Sequence, residues 1–169
     1  MMRLLKFLAI GFAATASLVA EVEPVTLNSK APDFEVLDKD GKKVKLSDYS
    51  GKNVVLTFSR AHWWPFCTRQ LGKLQKLKPE FTKLNAELVC VFREEKKGAE
   101  GLKVAIKKTG YETILLDTPA KETLAYSQKD FTTYLIDEKG VIVAEFSGTK
   151  TTRPSGAEIL EKAKEVLKK

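Results

Sequence analysis

Asn53-Val54-Val55-Leu56-Thr57-Phe58-Ser59-Arg60-Ala61-His62-Trp63-Trp64-Pro65-Phe66-Cys67-Thr68 decides how this chain folds. Asn53–Ser59 reads as a continuous, mostly apolar strand of the kind buried on both faces. From Pro65 to Ala86, Leu71, Leu74, Leu77, Phe81 and Leu84 recur at spacings of three and four, which is one face of a helix. Pro79 falls inside that helix and predicts a kink, because its ring clashes with the carbonyl four residues back. Cys67 therefore stands where a strand hands over to a helix. The unpaired N–H groups of a first helical turn, with the positive end of the macrodipole, favour a thiolate at such a position.

Outward from this unit the elements alternate. Asp33–Leu37 and Lys43–Leu46 alternate in polarity around Asp38-Lys39-Asp40-Gly41, which predicts a hairpin. Leu88–Phe92 is a second buried strand, and Gly98–Thr109 a helix closed by Gly110. Thr113–Asp117, Thr132–Asp137 and Val141–Phe146 read as strands, the last two joined by Glu138-Lys139-Gly140. A final helix starts after Ser155 as N-cap and turns Ile159, Leu160, Ala163, Val166 and Leu167 inward. This order implies an α/β protein whose sheet is mostly parallel, covered on both sides, with an antiparallel late hairpin.

Several stretches together resemble the peroxiredoxin-like (alkyl hydroperoxide reductase/thiol-specific antioxidant) branch of the thioredoxin superfamily. They are Ala31-Pro32-Asp33-Phe34-Glu35-Val36, Asp40-Gly41, Val44-Lys45-Leu46-Ser47-Asp48-Tyr49, Gly51-Lys52 and Tyr134-Leu135-Ile136-Asp137-Glu138-Lys139-Gly140, taken with the Cys67 segment. The resemblance implies a thioredoxin-like fold over residues 28–169: a central mixed sheet flanked by helices, with an N-terminal β-hairpin extension. It implies a single peroxidatic nucleophile, Cys67, that reduces a peroxide through a sulfenic acid and is restored by an external thiol or a thioredoxin-like reductant, with no organic cofactor. Two residues depart from the pattern. Trp64 stands where related Trp-Cys-Pro-aromatic-Cys runs carry a first cysteine and where peroxidases carry a Thr. Phe131 stands where peroxidases carry an activating Arg and thioredoxin-like reductases a cis-Pro. A monothiol disulfide oxidoreductase and a non-catalytic thioredoxin-fold binding module therefore remain as alternatives to the peroxidase.

Sites in open α/β sheets lie beyond the carboxyl ends of the strands. Arg60 and Arg93 follow two such ends, which makes both candidates to hold the Cys67 thiolate and polarise a peroxide; the alternative for each is a surface ion pair with Glu94 or Glu95. His62 is a candidate proton donor to a leaving hydroxide, or else a structural loop residue. Trp63, Trp64, Pro65, Phe66 and Phe131 are candidate walls of the substrate pocket; packing is the expected role of Trp63 and Phe66, while that of Trp64 stays open. Cys90, inside Leu88-Val89-Cys90-Val91-Phe92, is expected to act as a small buried hydrophobe, with a resolving role only after local unfolding.

Composition narrows the function classes. The formal charge is +7, spread over helical lysines without an aromatic-interleaved basic patch, so nucleic-acid binding is not expected. Two cysteines do not make a disulfide scaffold, and one His without clustered Cys/His ligands argues against a transition-metal site. Met1-Met2-Arg3-Leu4-Leu5-Lys6 followed by an uncharged run from Phe7 to Ala20 has the form of a secretory signal over residues 1–20, too short in its core for a membrane span. Export to the periplasm or medium is expected. Mass spectrometry of the protein recovered from fractionated cells should find a mature N-terminus near Ser17 or Glu21; intact Met1 or Met2 on cytoplasmic protein would contradict the reading.

Overall fold

The computed structural model describes residues 24–126 and 131–167; the expected signal segment 1–20 lies outside the described residues. Its strands are β1 (Glu35–Leu37), β2 (Lys43–Lys45), β3 (Asn53–Ser59), β4 (Ala86–Phe92), β5 (Thr113–Leu116), β6 (Thr133–Ile136) and β7 (Ile142–Phe146). They form one sheet in the order β2-β1-β5-β4-β3-β6-β7. The pairs β3·β4 and β4·β5 are parallel, while β1·β2, β1·β5, β3·β6 and β6·β7 are antiparallel, so the sheet is mixed. The helices are α1 (Pro65–Lys76), α2 (Lys78–Lys83), α3 (Ala99–Thr109) and α4 (Gly156–Val166).

Every residue of β3 is buried, as its apolar run predicts. Because strand side chains alternate in direction, β3, β4 and β6 feed two cores. Val55, Leu88, Cys90, Phe92 and Leu135 meet the helices through Leu71, Leu74, Phe81, Leu102, Ile159 and Leu160. Val54, Leu56, Phe58, Val89, Val91 and Tyr134 face the other way and pack with Phe34, Leu46 and Tyr126. The four α-helices of the described residues thus lie on one face. The second face is covered by the N-terminal segment, a 3-10 turn (Leu46–Tyr49) and the loop carrying Tyr126, whose hydroxyl donates to the Pro32 carbonyl at 2.6 Å.

The kink expected at Pro79 is a full break. Leu77 N–H bonds back to Leu74 at 2.9 Å and closes α1; Pro79 then sits in the first turn of α2, where a missing N–H costs nothing. Gly110 closes α3 with φ of 71°, and Ser155 caps α4 by accepting from Glu158 N–H at 3.1 Å, both as the sequence predicts.

The turn from β4 into α3 is built around Glu95, whose side chain is buried. It accepts from His62 N–H at 2.9 Å, His62 Nδ1 at 2.6 Å and Lys97 N–H at 2.9 Å. Burial pushes the Glu95 carboxyl up, but these donors outweigh it and hold it below its ordinary 4.5. A methyl group on Gly101 would lie 2.1 Å from the Glu95 carboxyl carbon, so α3 packs here only with glycine. Gly101→Ala should lower the urea midpoint by an amount equivalent to about 1–3 kcal/mol of overpacking. Because the folded carboxyl is the stronger acid, its contribution is complete above the unfolded pKa and is lost as pH falls through the lower folded value. Between about pH 6 and about pH 3, Glu95→Gln should therefore lose less stability than the unmodified chain in urea titrations.

Candidate active site

Trp64 holds an extended backbone, φ −88° and ψ 112°, as the N-cap of α1, and Pro65 with its fixed φ opens the helix. The Trp64 carbonyl accepts from Cys67 N–H at 3.1 Å and Thr68 N–H at 3.2 Å, so Cys67 is locked as the third residue of the helix. Its side chain is fully buried.

The loop between β7 and α4 lies across it as a strap. Arg153 donates through Nη2 to Cys67 Sγ at 3.4 Å, through Nη1 to the Thr152 carbonyl at 2.9 Å, and also to the Thr149 carbonyl. Its guanidinium carbon stands 3.9 Å over the Phe131 ring, a cation–π contact in a desolvated setting. Trp64 Nε1 donates to the Lys150 carbonyl at 3.3 Å and ties the strap to the helix start. Thr149 and Thr152 close the turn, hydroxyl to hydroxyl at 2.7 Å. At its base Gly148 approaches Phe131 so closely that a Cβ would fall 2.7 Å from the Phe131 carbonyl oxygen.

The two arginines that are candidates for the sulfur make other contacts, and for Arg60 it is the alternative ion pair with Glu94. Arg60 forms a bidentate pair with Glu94, at 2.8 and 2.5 Å, and lies 4.4 Å over the Trp64 ring and 5.2 Å over Trp63. Arg93 turns to the opposite face of the sheet, 3.9 Å over the Phe58 ring, and donates to Thr123 Oγ1 at 3.0 Å and its carbonyl at 2.7 Å. The guanidinium bonded to Sγ is that of Arg153. A signal for it exists in the strand directions: β6 runs against β3 and β7 against β6, so the β7–α4 loop leaves the sheet at the edge where β3 ends. Counting directions would have added Arg153 to Arg60 and Arg93 as a third arginine at that edge.

His62 Nδ1 is engaged by Glu95. Trp63, Trp64 and Phe66 form a ladder with ring centroids 5.6 and 6.4 Å apart, and Trp63 meets Trp64 edge-on. Trp63 is 44 % exposed, which corrects the packing role expected for it: pinned against Trp64 and Arg60, it forms a rim. Phe131 is buried under Arg153.

Cys90 lies inside the helix-side core, on a strand paired on both sides. Burial raises its thiol well above the ordinary range, negative charge on Cys67 raises it further, and the Ser59 hydroxyl pulls weakly the other way. It is the small buried hydrophobe the sequence suggests. Both cysteines are free thiols. Among the described residues no group of acidic, His and Cys side chains could hold a metal ion, and no helix is long and apolar enough to cross a membrane.

Cys67 thus combines a place in the first turn of a helix with one guanidinium contact, two features that favour a thiolate. The chain is 32 % identical over 150 residues to thiol-disulfide oxidoreductase ResA of Geobacillus thermodenitrificans, covering 88 % of this chain and 84 % of that protein. Its backbone resembles the thioredoxin domain of a thiol-disulfide oxidoreductase from Bacteroides vulgatus, with TM-score 0.66 and 22 % identity over 85 % of this chain and 99 % of the other. It also resembles yeast mitochondrial 1-Cys peroxiredoxin, with TM-score 0.69 and 22 % identity over 83 % and 75 %. At that identity the two structural likenesses concern the fold alone. The profile of the AhpC/TSA family matches residues 27–145, and with it the sheet, the Cys67 helix start and the Phe131 edge, so this chain belongs to the AhpC/TSA family on a thioredoxin-like fold.

Proposed function

We propose that this protein is a thiol–disulfide oxidoreductase that works through one cysteine, Cys67. The observation that carries the reading is the Arg153 guanidinium donating to Cys67 Sγ at the start of α1. The names of the similar proteins support it. In the reaction, the Cys67 thiolate attacks one sulfur of a disulfide, a mixed disulfide forms, and the other sulfur leaves as a thiolate. Arg153 faces the charge that moves onto and off Cys67 Sγ, and charge-assisted bonds of this kind outweigh neutral ones. Trp64 stands three residues before the nucleophile, at the place of the first cysteine of a Cys-x-x-Cys pair, and offers no second thiol. Release therefore depends on an external thiol or a thioredoxin-like partner. Because Cys67 is covered, each turnover requires the strap to lift, breaking the Trp64–Lys150 and Arg153–Cys67 bonds.

Peroxide reduction is the second reading, favoured by the pairing of a single cysteine with an arginine. There the thiolate attacks the O–O bond to give a sulfenic acid, hydroxide leaves, and an external thiol returns Cys67 through a mixed disulfide with loss of water. In either reading Arg60, Arg93 and His62 hold Glu94, Thr123 and Glu95, and the guanidinium at the sulfur is that of Arg153. Export of the mature chain fits an oxidising compartment where such exchange has clients.

Turbidity assays of insulin reduction by dithiothreitol should show little acceleration by the unmodified protein. Trp64→Cys should raise it by at least about tenfold, because a neighbouring thiol resolves the mixed disulfide intramolecularly. Cys67→Ser should abolish exchange with a low-molecular-weight disulfide, whereas full exchange in that variant would leave a binding module as the better account. Consumption of hydrogen peroxide that depends on Cys67 and outpaces disulfide exchange would favour the second reading.

A further inference from the structure

Between α1 and the end of α3 runs an open groove of about 420 Å³. Arg69, Lys73 and Lys76 of α1 and Lys108 of α3 line it, and no acidic residue does. α1 contains no acidic residue at all, so Arg69 and Lys73, four apart, and Lys73 and Lys76, three apart, repel one another along one helix surface without relief. The macrodipole favours cations in the last turn of a helix, but it does not account for this set. Arg69 lies in the first half of α1. The last-turn lysines of α2 and α4, Lys83 and Lys164, each pair with a glutamate three residues earlier, Glu80 and Glu161. None of the four groove cations has an acidic partner among the described residues.

The groove suits a polypeptide. At Gly72 an added Cβ would meet nothing within 4 Å, so a backbone can lie close against α1. The Gln75 side-chain amide, which has no partner among the described residues, offers the donor and the acceptor that a peptide bond needs. No aromatic ring lines the groove, which leaves out the stacking on which binding of single-stranded nucleic acid relies. A bilayer surface is broad, whereas these cations converge on a cleft between two helices. From Thr68 to Lys76 α1 rises about 12 Å, the length of roughly three or four extended residues. The Cys67 sulfur lies outside the groove, but the groove begins at Thr68, the next residue, and Arg69 reaches from it to 5.5 Å over the Phe66 ring in the ladder at the start of α1. A chain lying in the groove is thereby led to the end of α1 that carries Cys67.

We infer that the groove between α1 and α3 docks an extended acidic segment of the protein whose disulfide Cys67 attacks, so that clients with acidic residues a few positions from a cysteine are preferred. The inference rests on Cys67 as the exchanging nucleophile. Carboxylates of the segment meet Arg69, Lys73, Lys76 and Lys108, and because these cations are exposed the gain falls mainly on the rate of encounter and is sensitive to salt. The exchange itself is unchanged: the Cys67 thiolate bonds to one client sulfur, the client S–S bond breaks, and the other sulfur leaves as a thiolate.

The test uses the full chain and two peptides, each carrying one cysteine as a mixed disulfide with 2-thiopyridine and, beyond a Gly-Ser spacer, a run of either glutamates or glutamines. Attack of Cys67 on the peptide sulfur releases 2-thiopyridone, which is followed by absorbance, and mass spectrometry assigns the adduct. The ratio of the two rates, glutamate peptide over glutamine peptide, should be at least about fivefold at low ionic strength and shrink as salt screens the cations. In Lys73→Gln/Lys76→Gln/Lys108→Gln it should fall to less than about half of that value. Lys42→Gln/Lys121→Gln/Lys139→Gln removes the same charge from exposed positions outside the groove and should keep the ratio. A ratio near one in the unmodified chain, or an equal fall in both triple variants, overturns the docking while leaving Cys67 as the nucleophile. A ratio near one together with sedimentation on phosphatidylglycerol vesicles that the groove variant loses overturns it in favour of a membrane at this face. No adduct on Cys67 with either peptide overturns the exchange reading itself, and the inference with it.

Discussion

The flush parallel pairing of β3 with β4, from Asn53↔Ala86 to Ser59↔Phe92, is the constraint on which the other parts depend. Both strands feed two cores, and a one-residue slip would exchange Val55 and Cys90 with Val54 and Val89, turning each apolar set to the wrong face. With register held, β3 ends at Ser59 and α1 begins at Pro65, so little freedom remains in where Cys67 can lie. Leu71 and Leu74 then seat α1 on the sheet, each fully buried side chain worth about 1.5–3 kcal/mol. The position of the Cys67 sulfur is thus a consequence of sheet packing.

The second half of the site comes from the far end of the chain. The β7–α4 strap brings Arg153 to Sγ and is itself held by Trp64 through Lys150 and by Phe131 beneath the guanidinium. Both residues are among those the sequence marks as candidate walls of the pocket. A large indole and a phenyl ring at these places build a support for an arginine that arrives from the strap, and the same contacts cover the sulfur. In the proposed reaction the contacts that cover Cys67 are also those that bring Arg153 to its sulfur, so the strap must open for the sulfur to react.

Much of this was legible in the residues. Continuous apolar runs mark β3 and β4, and a period of 3.6 marks α1 and α4, because burial on both faces of a sheet or on one face of a helix selects them directly. Ser155 and Gly110 were readable as caps because their chemistry is local. Pro79 marked the right place but not the outcome: a kink and a break differ by whether Leu77 can close one helix and begin the next, which depends on what Leu74 and Phe81 pack against. Arg153 was not found because its contact with Cys67 spans 86 residues, and an arginine in a Thr-rich turn carries no periodic signal. The exposure of Trp63 is not legible in its hydrophobicity, because Arg60 and Trp64 hold its ring at the rim.

The central claim is that Arg153 acts on the Cys67 sulfur. It is tested most directly by the rate at which a neutral disulfide converts Cys67 to a mixed disulfide in Arg153→Met against the unmodified chain. Loss of a hydrogen bond from a charged donor, worth about 1.5–3 kcal/mol, predicts a fall of roughly tenfold to a hundredfold, even though the strap is looser in the variant. An equal or faster rate would contradict the account.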